Sequence, residues 1–222
     1  MTTLAVIPCK FDRIRPVVVE CVRRLREHNP EVDVLVVDSD SEDQTYFAEV
    51  LALGATVTVL GNRNYASGAY AWAYRTSEQR DADEFWLLAD SLMVNAPIKT
   101  TGDLTTVRWF QNSWGWDEDG TPLQVWGGEQ LARLGLPLPG QFRGVFGPMW
   151  FCTRQVMVDL EDIGYFDLLP TTKCEQSALE RVTGIVLEHL GYDVTNSLQG
   201  QHVDHFGAYD ESVVAKLNMA RP

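Results

Sequence analysis

The stretch that decides the fold is Val34 to Asp43, VLVVDSDSED. Four apolar residues, Val34, Leu35, Val36 and Val37, run straight into an acidic, Ser-rich turn. A short apolar run that ends in turn residues reads as a strand buried on both faces. Positions just past the C-terminal end of such a strand are where open α/β sheets bind ligands. Asp38 is the first polar side chain after the run, and Ser41 and Asp43 follow. Asp and Ser also stop strands and start helices in general, so a capped turn is the alternative reading of this segment.

Outward from it, the pattern repeats. Residues 4–7 predict a first strand, stopped by Pro8. Residues 16–28 predict a helix, with Val17, Val18, Cys21, Val22 and Leu25 at helical spacing and Asn29-Pro30 ending it. Residues 32–37 are the second strand, 42–53 a second helix closed by Gly54, and 56–60 a third strand. Asn62, Asn64, Ser67 and Gly68 make a turn before a helix in which Ala69, Ala71 and Ala73 alternate with Tyr70, Trp72 and Tyr74. Residues 85–89 are a fourth strand that ends at Asp90-Ser91. This order predicts an α/β fold, a mostly parallel sheet flanked by helices with right-handed crossovers. Two acidic strand ends, Asp38 and Asp90, result.

Residues 101–151 differ. Trp109, Trp114, Trp116, Trp126 and Trp150 all fall there, as a Trp-rich insertion. Strands are expected at 107–109 and 124–126, a loop at 134–140, and a strand at 145–152 interrupted by Gly147-Pro148. Regular structure then returns: a helix at 153–163 capped by Gly164, a helix at 174–190, a short strand at 192–195, and a helix in the tail.

Composition sets bounds. At 222 residues and 45% hydrophobic content, a full core is expected, in a single domain 1–222. The net charge of −13 argues against a surface that coats nucleic acid and against a polybasic membrane anchor. The four cysteines, Cys9, Cys21, Cys152 and Cys174, are far apart and form no CxxC, as in a reduced intracellular protein. The first residues lack the apolar length of a signal peptide, and no run reaches the ~20 apolar residues of a membrane span. The expectation is a soluble, cytoplasmic chain without a membrane partner.

Four segments together resemble nucleotide-sugar glycosyltransferases of the GT-A fold, nearest to the large family-2 group. Val36-Val37-Asp38-Ser39-Asp40-Ser41-Glu42-Asp43 resembles the V-D-x-x-S-x-D element. Asn62-Arg63-Asn64-Tyr65-Ala66-Ser67-Gly68 resembles the N-x-G-[FY]-A-x-G loop. Leu87-Leu88-Ala89-Asp90-Ser91 stands where the family has its metal-binding DxD. Ile163-Gly164-Tyr165-Phe166-Asp167, then Glu175-Gln176, then Leu190-Gly191-Tyr192 resemble G-G-F-D, E-D and L-G-Y.

The resemblance implies a division of labour: residues 1–95 as the nucleotide-binding half and 96–222 as the acceptor-binding half. It implies a donor site of Pro8, Lys10, Asp38, Asn62, Arg63, Gly68 and Asp90, for a UDP- or GDP-type sugar. It implies a divalent cation, Mn²⁺ or Mg²⁺, at Asp90, with His202 and His205 as further ligands. Trp114, Trp116 and Trp126 are candidates for an acceptor site. The activity implied is hexosyl or pentosyl transfer. Short, divergent GT-A proteins of phage genomes also fall within the resemblance, and they bring in a modified DNA base or a virion protein as acceptor, in the host cytoplasm.

Two positions depart from the pattern. The DxD is reduced to Ala89-Asp90-Ser91, which leaves one carboxylate. The E-D pair is Glu175-Gln176, and Gln cannot act as the base that takes the acceptor proton in inverting members. Glu175 is the candidate instead, with Glu129 as an alternative; a retaining mechanism and an inactive, ligand-binding relative stay open beside it. A nucleotidyltransferase is disfavoured, because Pro8-Cys9-Lys10-Phe11-Asp12-Arg13 has no glycine.

Overall fold

The computed structural model describes residues 1–10, 17–76, 81–112, 114–116, 120–201 and 212–216. Its centre is a six-stranded sheet, in the order β3-β2-β1-β4-β9-β6. The strands are β1 (Thr3–Cys9), β2 (Asp33–Asp38), β3 (Thr56–Val59), β4 (Glu84–Leu87), β6 (Leu104–Thr106) and β9 (Trp150–Thr153). Pairings β3-β2, β2-β1 and β1-β4 are parallel, and β9 runs antiparallel between β4 and β6. Strands from residues 3–87 and from residues 104–153 therefore share one sheet.

The two-faced burial expected of the opening stretch is present. Leu35 and Val37 face one core, with Leu4 and Val6 of β1; Val34 and Val36 face the other, with Ala5 and Ile7. Helix α1 (Val17–His28) covers the second face with Val18, Val22 and Leu25, and α2 (Phe47–Ala52) adds Val50. On the first face lie α3 (Tyr65–Arg75), α5 (Arg154–Asp162) and α6 (Lys173–His189). Ala69 and Ala73 of α3 are wholly buried, so their small side chains let the helix sit close to the sheet.

Several elements differ from expectation, each for a visible reason. Pro8 does not stop β1, which continues to Cys9. The β4 ladder ends at the Val6–Leu87 pair, so at Pro8 only β2 borders the strand and the missing N–H leaves no gap. Helix α2 begins at Phe47, not at residue 42. Asp43 accepts from the Thr45 amide (2.9 Å) and hydroxyl (2.7 Å), a local turn that competes with helix. Residues 124–126 are not a strand but part of α4 (Leu123–Arg133). Leu123, Gly127, Gln130 and Leu131 form its buried face, and the Trp114 ring fills the place of a Gly127 Cβ, at 2.2 Å.

Of the strand expected at 107–109, residues 107 and 108 link β6 to β7 (Trp109–Asn112), and only Trp109 lies in a strand; β7 pairs with β8 (Phe142–Val145) in a separate two-stranded sheet. The bend at Gly147, with φ +67°, sends β8 and β9 to different sheets. Residues 192–195 form a turn, held by Asp193 accepting from the amide and hydroxyl of Thr195. In the tail, β10 (Val214–Lys216) is a strand, antiparallel to β5 (Leu92–Val94). Among the described residues no helix is long and apolar enough to cross a membrane.

Candidate active site

Strand order places the site. The chain winds outward from β1 to β2 and β3, then returns to β4 on the other side of β1. That reversal is a topological switch point, and ligands of open α/β sheets bind outside the C-terminal strand ends there. At this edge stand Cys9 and Lys10 after β1, Asp38 and Ser39 at β2, the 61–64 loop after β3, and Leu88 to Asp90 after β4. Cys9 pairs with Asp38, and Asp38 with Val59, so these ends are level.

The two acidic strand ends have different surroundings. Asp38 is fully buried. Its Oδ1 accepts from the Ser41 amide at 2.8 Å, and its Oδ2 accepts from both the Ser41 and the Tyr46 hydroxyls. This is the capped turn, closed over by Tyr46, and it leaves the carboxylate no solvent-facing side. Tyr46 also reaches Cys9 Sγ at 3.4 Å. Asp90, in contrast, is half-buried at the switch point. Burial pushes the Cys9 thiol up to about 12, and the charge of Asp90 adds to that rise. Tyr70, raised mainly by burial and also by Asp90, donates to the Leu88 carbonyl at 2.9 Å and so ties α3 to the segment that carries Asp90.

The 62–68 loop is built tightly. Asn62 Nδ2 donates to Ser39 Oγ (3.2 Å) and to the Tyr65 carbonyl (2.7 Å), while its Oδ1 accepts from the Asn64 amide (2.9 Å). Gly68 is required by this arrangement: a Cβ there would lie 2.1 Å from Asn62 Oδ1. Arg63 and Lys10 are exposed, and Pro8 is half-buried.

Glu175, the candidate base, stands at the start of a helix. It is the third residue of α6, in a capping box with Thr172, and its Oε2 also accepts from the amide and hydroxyl of Thr171. A carboxylate there favours the helix start and its dipole. Gln176 Oε1 accepts from Ser67 at 3.4 Å. Asp167 pairs with Arg75 at 2.8 Å, and its neighbours Tyr165 and Phe166 are buried, so that motif packs α3 against the chain before α6. Glu129 is exposed on α4.

Of the three acceptor tryptophans, Trp114 is core: it packs on Phe142 at 4.9 Å and is buried under Gly127. Trp116 is 69% exposed and Trp126 is half-buried. His202 and His205 lie outside the described residues, as do the loop to Arg13 and Asp117 to Asp119. Sequence reasoning missed Tyr46, because residue 46 read as helix interior and not as the lid on Asp38.

The described residues include no cluster of three or more His, Cys, Asp or Glu side chains that could cage a metal. A Mg²⁺-type ion shared with substrate phosphates needs only one or two protein carboxylates. Asp90 would supply one hard oxygen ligand to such an ion, and Cys9, kept protonated by burial, would supply no thiolate. These residues would fit a hard, oxygen-liking cation rather than a thiolate-bound one.

No protein-family model matches the sequence, and no curated protein matches it. Solved structures do. Glucosyl-3-phosphoglycerate synthase of Mycobacterium tuberculosis is matched at a TM-score of 0.50 and 15% identity, over 100% of this chain and 73% of that one. Core-mannan synthase A of Aspergillus fumigatus, in a form with Mn and GDP, is matched at 0.50 and 7% identity, over 84% of this chain and 69% of that one. The fold is GT-A. This chain spans 65% of the length of another match, a mycobacterial protein with a TM-score of 0.47 and 16% identity over 90% of this chain.

Proposed function

We propose that the chain is a glycosyltransferase that moves a hexosyl or pentosyl group from a UDP- or GDP-type sugar to an acceptor hydroxyl. The observation that carries this is the half-open Asp90 carboxylate at the switch point of a GT-A sheet. Asp90 holds a divalent cation, Mn²⁺ or Mg²⁺, against the donor phosphates. When bound, the cation stabilises the charge that develops on the departing diphosphate. Lys10 and Arg63, exposed on adjoining loops, offset the repulsion that a chain of charge −13 exerts on an anionic donor. Asp38 shapes the donor loop from inside. Trp116 and Trp126 offer aromatic faces to an acceptor sugar or base. Of the acceptors that the phage resemblance brings in, the negative charge favours a protein over DNA.

A thermal-shift screen of UDP, GDP, CMP and dTDP sugars, with and without Mn²⁺, tests this, with Asp90→Asn as control. At a ligand concentration of 100 times Kd, the midpoint should rise by about 5 to 10 °C with one nucleotide class. The rise should need the cation and vanish in Asp90→Asn. No rise with any donor would overturn the proposal; a rise without metal would remove the cation from Asp90. A second reading, a sugar-nucleotide binder without turnover, is favoured by Glu175 being used as a cap and by Gln176 standing where a base would be. Release of free nucleoside diphosphate from the donor separates the two: an enzyme produces it and a binder does not.

A further inference from the structure

The Asn62–Gly68 segment touches three parts of the molecule at once. Asn62 reaches Ser39 on the β2 loop. Asn64 Nδ2 donates to the Pro170 carbonyl at 3.3 Å, and Ser67 donates to Gln176, both at the head of α6. The segment thus lies between the donor loop and the helix that starts with Glu175.

Backbone conformation marks the same junction. Among the described residues, two that are not glycine have positive φ: Asp40 at +63° and Tyr65 at +51°. Asp40 adjoins Ser39, to which Asn62 donates, and the Tyr65 carbonyl accepts from Asn62 itself. A left-handed tyrosine is disfavoured by its Cβ and persists only where its surroundings hold it. Asn62 bonds both flanks, and Gly68 is the residue that makes room for it.

We propose that Asn62 is a positioning residue: seated over Gly68, it locks the β2 loop to the Tyr65 turn so that the donor cleft is formed before the nucleotide arrives. The inference rests on the donor-site reading above and adds that donor affinity depends on a side chain whose polar atoms are turned inward. The expected ligand contact is with the nucleoside diphosphate, and the effect lies in its binding, not in the fold.

The test is a double-mutant cycle read by titration calorimetry of UDP and GDP with Mn²⁺, well below each variant's unfolding midpoint. Asn62→Ala should weaken nucleotide binding about tenfold, equivalent to about 1.4 kcal/mol of lost preorganisation. Gly68→Ala should do the same, because the added methyl evicts Asn62. The double variant should be no weaker than either single one, since both remove one clamp. Singles that bind as tightly as the wild type, or a double whose losses multiply to about a hundredfold, would overturn the inference alone. A wild type that takes neither nucleotide would overturn the donor reading first, and the inference with it. If Gly68→Ala does not fold, Asn62→Ala, which only creates space, still decides.

Discussion

The ends of β2 and β4 start from the same two letters, Asp-Ser, and reach opposite outcomes. Asp38-Ser39 and Asp90-Ser91 both close a buried parallel strand, one on each side of β1. At β2 the chain turns back over its own carboxylate: Ser41 and Tyr46 supply three donors and Asp38 loses all exposure. At β4 the chain passes directly into β5, and Asp90 stays half-open. An acidic strand end is therefore not yet a ligand. What decides is how deeply the residues that follow bury it.

The comparison can be broken by mutation. Asp38→Ala removes, in an enclosed space, the acceptor shared by the Ser41 amide and the Ser41 and Tyr46 hydroxyls. It should cost about 3 kcal/mol, a fall of about 6 to 12 °C in Tm. Asp90→Ala, at a half-buried side chain, should cost clearly less than Asp38→Ala. Equal losses in the two variants, measured by urea denaturation, would erase the distinction.

Cys9, between the two ends, sharpens it through pH. Its thiol is raised from 9.0 to about 12 in the folded protein, mainly by burial. Between those values the unfolded chain gives up the proton and the folded one keeps it, so the stability it contributes is full below pH 9 and is lost as pH rises toward 12. The slope is up to about 1.4 kcal/mol per pH unit for this thiol. Cys21 and Cys152, also raised chiefly by burial, act in the same direction. Urea midpoints should be level from pH 7 to 8.5 and fall by pH 10; a level profile throughout would mean that the region is more open than the structure shows. Tyr46→Phe, which keeps the packed ring and removes one donor to Asp38, should cost about 1 kcal/mol. A loss as large as that of Asp38→Ala would place the weight of the turn on Tyr46.

Much of residues 1–95 could be read in advance. The strands at Val34 and Phe85, the helix of Val18, Val22 and Leu25, and the turn at Gly54 follow from hydrophobic period and from Gly and Pro punctuation, which are local signals. The Trp-rich middle could not be read in the same way. Gly127 and Gly128 hid α4, because glycine lowers helix propensity, and only the Trp114 ring packed into the Gly127 position explains why the helix tolerates it. Trp114 and Trp116, two residues apart, look alike in sequence, yet one is sealed beneath α4 and the other stands in solvent.

The sequence by itself determined the alternation of strands and helices, the two-sided burial of β2, and the presence of acidic groups at two strand ends. Each depends on residues within one element or its flanking turn. Only the tertiary structure decided how deeply each carboxylate is buried and which tryptophan is core; the capping place of Glu175 at α6, three residues after Thr172, was already local. Those outcomes depend on what packs or hydrogen-bonds around each side chain once the chain has turned: Tyr46 over Asp38, and the Gly127 backbone over Trp114. The number and direction of such partners set the free energy of a polar group, and no pattern along the chain specifies them.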